Sequence, residues 1–271
     1  FEALWEAQRQ HYPDLLTVNL KKKIHHAIFY QRPLKSQKGL VGHCELEPDQ
    51  RRAPWALLPA QRFRLLQKVN DLTVISPEGI ERRLSDPERT RILEALEHTE
   101  KLTFPQARKL LESRPKGTEF NLERGGNKDI PGNKTAARLR EVFGDRWDEL
   151  SYDDQQAIVG EVLGIKTKEA LIRRGRERWG LKEEEALARF AKVNLESGYC
   201  ALSKKALKAV LPRMEEGVSF ATARKECYND LTTRLVCDEL PSVWDAGIDL
   251  RNPAVMRSLT QLRKVVNAII R

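Results

Sequence analysis

The sequence predicts a mainly α protein, a multi-helix architecture in two subdomains with one or two short β-hairpins. Apolar residues recur three and four apart along most of the 271 residues, the spacing of one helical face. Ser, Thr or Asn stands at the start of several such runs, where a side-chain oxygen satisfies free backbone amides. Only two short stretches interrupt the pattern.

Leu16, Leu20, Ile24 and Ile28, each four apart and closed by Pro33, make the first amphipathic helix. Further helices are expected at 59–71 (Phe63, Leu66, Val69), 86–99 behind Ser85 (Ile92, Leu93, Leu96), 103–113, 134–144, 152–164 behind Ser151, 167–179 opened by Thr167, and 182–195. A helix at 203–216 starts on Ser203, places Leu207, Val210, Leu211 and Met214 on one face, and stops at Gly217. Pro212 should disturb its last turn, since proline lacks the amide hydrogen. Asn252 and Pro253 open a final helix whose core stripe is expected to be Val255, Leu259, Leu262, Val266 and Ile269. Between 72 and 84, LTVI and IERRL flank PEG as a hairpin would. From 115 to 133 the composition shifts to Gly, Pro, Asn and charge, placing a boundary between 1–118 and 119–250 and a short strand at 120–122.

Hydrophobic residues make up 40% and charged residues 32%, the balance of a soluble chain long enough to bury a core. No run approaches the roughly 18 apolar residues of a spanning helix, so no membrane is expected as a partner. The opening FEALWEAQRQ carries no leader and suggests a piece of something larger. Cys44, Cys200, Cys227 and Cys237 form no CxxC pair, which argues against a disulfide framework or zinc ribbon and for a reducing, cytoplasmic setting. Lys and Arg number 48 against 39 Asp and Glu, a net charge of +9, so nucleic acid becomes a candidate partner.

Placement of the charge matters more than its sum. Lys21, Lys22, Lys23, Arg32, Lys35 and Lys38 fall in a run without an acid, interleaved with His25, His26 and Tyr30. Cations that neutralise phosphates beside rings that stack on bases suit a nucleic-acid strand; a solvated lysine face is the alternative for the run alone. Arg51, Arg52, Arg62 and Arg64 follow, then Lys204, Lys205 and Lys208 in an acid-free helix start. The last 21 residues hold Arg251, Arg257, Arg263, Lys264 and Arg271 and no acid. Helix 167–192 mixes signs and reads as a salt-bridged exterior.

No catalytic constellation emerges. His43 beside Cys44 does not give a thiol a converging base, and His25 and His26 lack a third ligand at metal spacing. Glu45/Glu47 and Asp153/Asp154 sit in no diagnostic frame, and ERGGN at 123–127 lacks phosphate-loop spacing. Neither cofactor nor metal is expected.

IFYQRPLKSQKGLVGHCELEPDQRRAP followed by RFRLLQKVNDLTV closely resembles the recognition lobe of type II-C CRISPR RNA-guided DNA endonucleases, the Cas-nine family. LTFPQARKLL (102–111), FNLERGGNKDIPGNKT (120–135), LSKKALKAVLPRMEEG (202–217) and RNPAVMRSLTQLRKVVNAIIR (251–271) extend the likeness in the family's order. The resemblance implies first and second recognition subdomains at 1–118 and 119–250, and a connecting helix at 251–271 toward the second RuvC segment. It also implies that the RuvC and HNH catalytic segments lie outside this chain, which is itself noncatalytic. Implied partners are guide RNA (crRNA and tracrRNA), target DNA as heteroduplex, the RuvC and HNH domains, and an anti-CRISPR inhibitor protein. A-form shape and backbone would be recognised, sequence being left to base pairing. By resemblance, Arg32, Lys35, Lys38, Arg51 and Arg52 are the first donors to RNA, with the Lys204–Lys208 face second. Arg263 and Lys264 of the last helix would meet RNA or a neighbouring domain. Asn70 either donates to a sugar or phosphate or caps its own helix end. The competing class is a protein-interaction module whose basic faces dock onto acidic partners.

Overall fold

The computed structural model describes residues 1–30, 38–228, 239–245 and 252–270, in two compact units, Phe1–Gly42 and His43–Arg271. In the first unit, α1 (Glu2–His11) buries Trp5, which stacks on Phe1 with ring centroids 5.9 Å apart. Helix α2 (Val18–Phe29) starts where the Thr17 hydroxyl accepts from the Leu20 amide, two residues into the expected run, because the cap fixes the entry. Leu16, Leu20 and Ile24 are half-buried and Ile28 is exposed.

The second unit runs through α3 (Leu58–Asn70), β1 (Thr73–Ile75), β2 (Glu81–Arg83), α4 (Asp86–Glu97), β3 (Lys101–Thr103), α5 (Phe104–Arg108), β4 (Glu119–Phe120), α6 (Asn121–Arg124), β5 (Asp129–Pro131) and α7 (Lys134–Phe143). It continues through α8 (Arg146–Glu149), α9 (Tyr152–Gly164), α10 (Lys168–Glu177), α11 (Glu184–Lys192), α12 (Lys204–Glu215), α13 (Phe220–Cys227) and α14 (Pro253–Ile270). The mainly α class holds. Capping explains the clean boundaries: Ser85 and Glu88 form a reciprocal capping box on α4, Ser151 caps α9, and Ser203 accepts from the Ala206 amide at the head of α12.

Helix α3 is the axis of this unit. It turns Phe63, Leu65, Leu66 and Val69 into the core and packs against α4, α7 and α12. The expected hairpin at 72–84 is present, with Val74 opposite Arg82, and β1 also pairs with β4 through Val74 and Phe120. A second ladder, absent from the sequence reading, sets Leu102 of β3 opposite Ile130 of β5. Both ladders join residues before 118 to residues after it, and one apolar core runs from Cys44 to Ala223. The Gly- and Pro-rich stretch expected to separate two subdomains therefore supplies turns within one core. Gly132 shows how tightly: a Cβ there would lie 2.0 Å from the Thr99 carbonyl oxygen.

The stripe expected on α14 is rotated. Val255, Leu262 and Ile269 are exposed, while Met256 and Asn267 are buried. The cause is the 239–245 segment, whose Leu240 amide donates to Asn267 Oδ1 at 2.8 Å and whose Leu240 carbonyl accepts from Asn267 and from Arg263 Nε. Among the described residues, no helix is long and apolar enough to cross a membrane, and no group of three His, Cys, Asp or Glu could hold a metal ion.

Candidate nucleic-acid interface

Segment 43–53 crosses the start of α12. The Glu45 and Ala53 amides donate to the Ala201 and Leu202 carbonyls, and the Cys200 amide donates to the Ala53 carbonyl. His43 and Arg51 close a backbone bridge, and the His43 ring donates to the Pro48 carbonyl. Cys44 and Cys200 are buried beneath this loop. Their sulfurs accept from the Leu46 and Leu202 amides, which accounts for them as packed residues. Burial pushes the Cys200 thiol above its ordinary pKa.

This framework places Arg51, Arg52, Lys204, Lys205 and Lys208 in one region of the second unit. Arg52 donates to the His43 carbonyl at 2.9 Å and approaches Glu45 at 3.4 Å. Lys205 donates to Glu47 at 2.7 Å, and that bond lowers the Glu47 pKa. Tyr228 donates to the same carboxylate at 3.0 Å; burial and that bond push the phenol up to about 12. Lys204 and Lys208, a turn apart on α12, are exposed and meet no carboxylate among the described residues.

Other expected donors are held internally. Arg62 forks onto both oxygens of Glu215 at 2.6 Å and reaches Glu97 at 2.9 Å, tying α3 to α12 and α4. Arg64 donates to both oxygens of Glu196 at 2.8 and 2.9 Å and to Gln61 at 2.7 Å, with its guanidinium 5.4 Å from the Trp55 ring centroid. Asn70 caps a helix end, but that of α12: it donates to the Met214 and Val218 carbonyls at 2.8 Å and accepts from Arg89. Arg263 is tied to Leu240, whereas Lys264 is exposed.

In the first unit Lys21 pairs with Glu2 and Glu6, which raises its pKa, while Lys22 and Lys23 stay exposed. Arg32 and Lys35 lie outside the described residues, as does the side chain of Lys38. The sequence reading passed over Lys109, Arg114 and Lys116, which line a cleft of about 390 Å³ with no carboxylate partner among the described residues. It also passed over Tyr152 at the first turn of α9, a residue 57% exposed that lines a groove with Lys204 and Lys208. An RPK triplet in a loop was a readable signal for the former; no local pattern marks the latter.

Residues 35–232 match the model of the Cas9 alpha-helical lobe domain. The chain belongs to the Cas9 family. The CRISPR-associated endonuclease Cas9 of Campylobacter jejuni is 27% identical over 254 residues, covering 90% of this chain and 24% of that protein. Cas9 1 of Streptococcus thermophilus is 23% identical over 255 residues, covering 86% and 22%. The chain thus spans about a quarter of the length of these Cas9 relatives. Among solved structures, C. jejuni Cas9 in complex with sgRNA and target DNA superposes with a TM-score of 0.56 at 22% identity, over 94% of this chain and 32% of that one. The type II-C Cas9 of Actinomyces naeslundii gives 0.55 at 20% over 88% and 26%, and S. thermophilus Cas9 in complex with the GGAA PAM gives 0.59 at 18% over 97% and 28%. At these identities the likeness is one of fold, and it is the fold of the helical lobe.

Proposed function

We propose that this chain is the noncatalytic nucleic-acid-binding lobe of a type II-C CRISPR effector, holding guide RNA and the guide RNA–target DNA heteroduplex by backbone and shape. Cleavage is then the work of RuvC and HNH segments, and the setting is the prokaryotic cytoplasm. The observation that carries the reading is the region where segment 43–53 meets α12: cations on a rigid framework, two of them with no carboxylate among the described residues to neutralise them. Rigid, sparsely placed cations suit a partner whose sequence is read by pairing and whose backbone is read by charge. The solved complexes of C. jejuni Cas9 with sgRNA and target DNA support it.

The test is titration of the 271-residue chain with guide RNA, unrelated duplex DNA and an acidic polypeptide over a salt series. Preference for the structured RNA is expected, with a steep log–log salt dependence. The Lys204→Gln/Lys208→Gln variant should flatten that slope by about 0.7 per lost single-strand phosphate contact without a change in melting temperature. Equal binding of the acidic polypeptide would favour the protein-docking alternative. Strand cleavage by this chain, with or without magnesium, would overturn the noncatalytic assignment.

A further inference from the structure

Between α9 and α12 runs a groove of about 740 Å³, a volume in the range of small-molecule sites. Its apolar part comes from Leu57, Pro59, Leu211 and Pro212. The exposed Tyr152 ring stands in it with its hydroxyl accepting from Gln156 at 3.2 Å. Lys204 and Lys208 line the same groove. Of the two carboxylates there, Glu215 is taken by Arg62, which leaves Asp153 as an acceptor. Pro212 brings no amide hydrogen, so the Lys208 carbonyl four residues back has no helical donor of its own.

A greasy slot with an aromatic face, a few hydrogen-bonding groups and a pair of unneutralised ammonium groups complements a nucleobase with phosphates attached. An apolar peptide would satisfy the slot and leave the lysines unused. We propose that the α9–α12 groove captures a single unpaired nucleotide of the bound RNA, its base on Tyr152 and its flanking phosphates on Lys204 and Lys208. The inference rests on the nucleic-acid-binding reading and adds a preference for an extruded base, which backbone contacts alone would not give.

Two RNA hairpins separate the two claims, one fully paired and one identical but for a single bulged nucleotide, each titrated against the full chain. The wild type should bind the bulged hairpin about tenfold tighter, in the range one base-on-aromatic stack contributes. Tyr152→Ala should erase that difference while leaving the salt slope and the paired hairpin unchanged, and Tyr152→Phe should retain it. Equal affinity of the wild type for both hairpins, or a preference that survives Tyr152→Ala, overturns the groove assignment and leaves the nucleic-acid reading standing. Failure of both hairpins to bind overturns both. Equal weakening on the two hairpins would make Tyr152 a packing residue and also refute the proposal.

Discussion

Glu196 is a half-buried carboxylate tied to α3 and α7, and replacing it by Gln isolates its contribution. Its side chain is 19% exposed and accepts from Arg64 Nη1 at 2.8 and 2.9 Å, Gln61 at 2.8 Å and Lys134 at 3.3 Å. Burial disfavours the charged form, yet the bonds from Arg64 and Gln61 and the charges of Arg64 and Lys134 outweigh it and hold the pKa at about 2 against an ordinary 4.5. That gap, at about 1.4 kcal/mol per pH unit, corresponds to about 3 kcal/mol of stability. An independent consideration gives the same size. The Glu196→Gln change would leave the Arg64 guanidinium, 14% exposed and with its Nε already unpartnered, without its carboxylate counter-charge, and a stranded buried ion costs about 3–5 kcal/mol. Because the folded pKa is depressed, the contribution is complete above 4.5 and is lost as pH falls through about 2. Urea unfolding followed by circular dichroism should therefore show the variant about 3 kcal/mol less stable near neutral pH, the deficit shrinking steadily below pH 4.5. A deficit below about 1 kcal/mol, typical of an exposed pair, or one that stays constant down to the lowest pH, would refute the reasoning.

Two further outcomes follow from the geometry. Gly132→Ala forces a Cβ to within 2.0 Å of the Thr99 carbonyl oxygen and 2.8 Å of the Leu96 carbonyl oxygen. Neither is a side chain that can swing away, so a loss of about 3 kcal/mol or more is expected in the same urea assay, and a loss under about 1 kcal/mol would show that β5 can shift. Asn70→Ala removes the donor to the Met214 and Val218 carbonyls and the acceptor of Arg89 Nε, while the Met214 carbonyl keeps Arg89 Nη2 and the Gly217 amide. It should cost about 1–3 kcal/mol of stability with RNA affinity and salt slope unaltered; an RNA defect at unchanged stability would return Asn70 to the binding surface.

What could be read in advance was what is local. Ser85 with Glu88, Ser151, and Ser203 with Gly217 set helix ends through contacts close in sequence, so α4, α9 and α12 were legible to within a residue or two. The β3–β5 ladder was not: three-residue strands, one ending on Pro131 and the other just before Pro105, are too short to show a period, and their pairing spans about 28 positions. The α14 face was misjudged because apolar residues ring the helix, and only the Leu240 contact, made from 27 positions away, decides which side turns in. The site divides in the same way. Basic runs locate segment 43–53 and α12, but no pattern discloses that Arg64 meets Glu196 from 132 residues away, or Arg62 meets Glu215 from 153.

That division has a chemical basis. The guanidinium fork satisfies a carboxylate with two parallel bonds, and an arginine on a helix flank becomes a tie wherever an acid from a distant element arrives opposite it. Arg62 and Arg140 take this form with Glu215 and Asp148, Arg82 forks onto Glu88 from a strand, and Arg64 reaches both oxygens of Glu196 through Nη1. Lys204 and Lys208 face a groove whose Glu215 is already engaged by Arg62. A cation's place in the sequence sets which helix carries it, while the tertiary fold decides whether its charge is spent inside the protein or offered outside. The excess positive charge is thus a poor guide to the interface until the internal ties are subtracted. What the subtraction leaves on α12 is the pair of lysines beside Tyr152, where ammonium groups, a ring and an apolar wall meet with no ion pair among the described residues to absorb the charge.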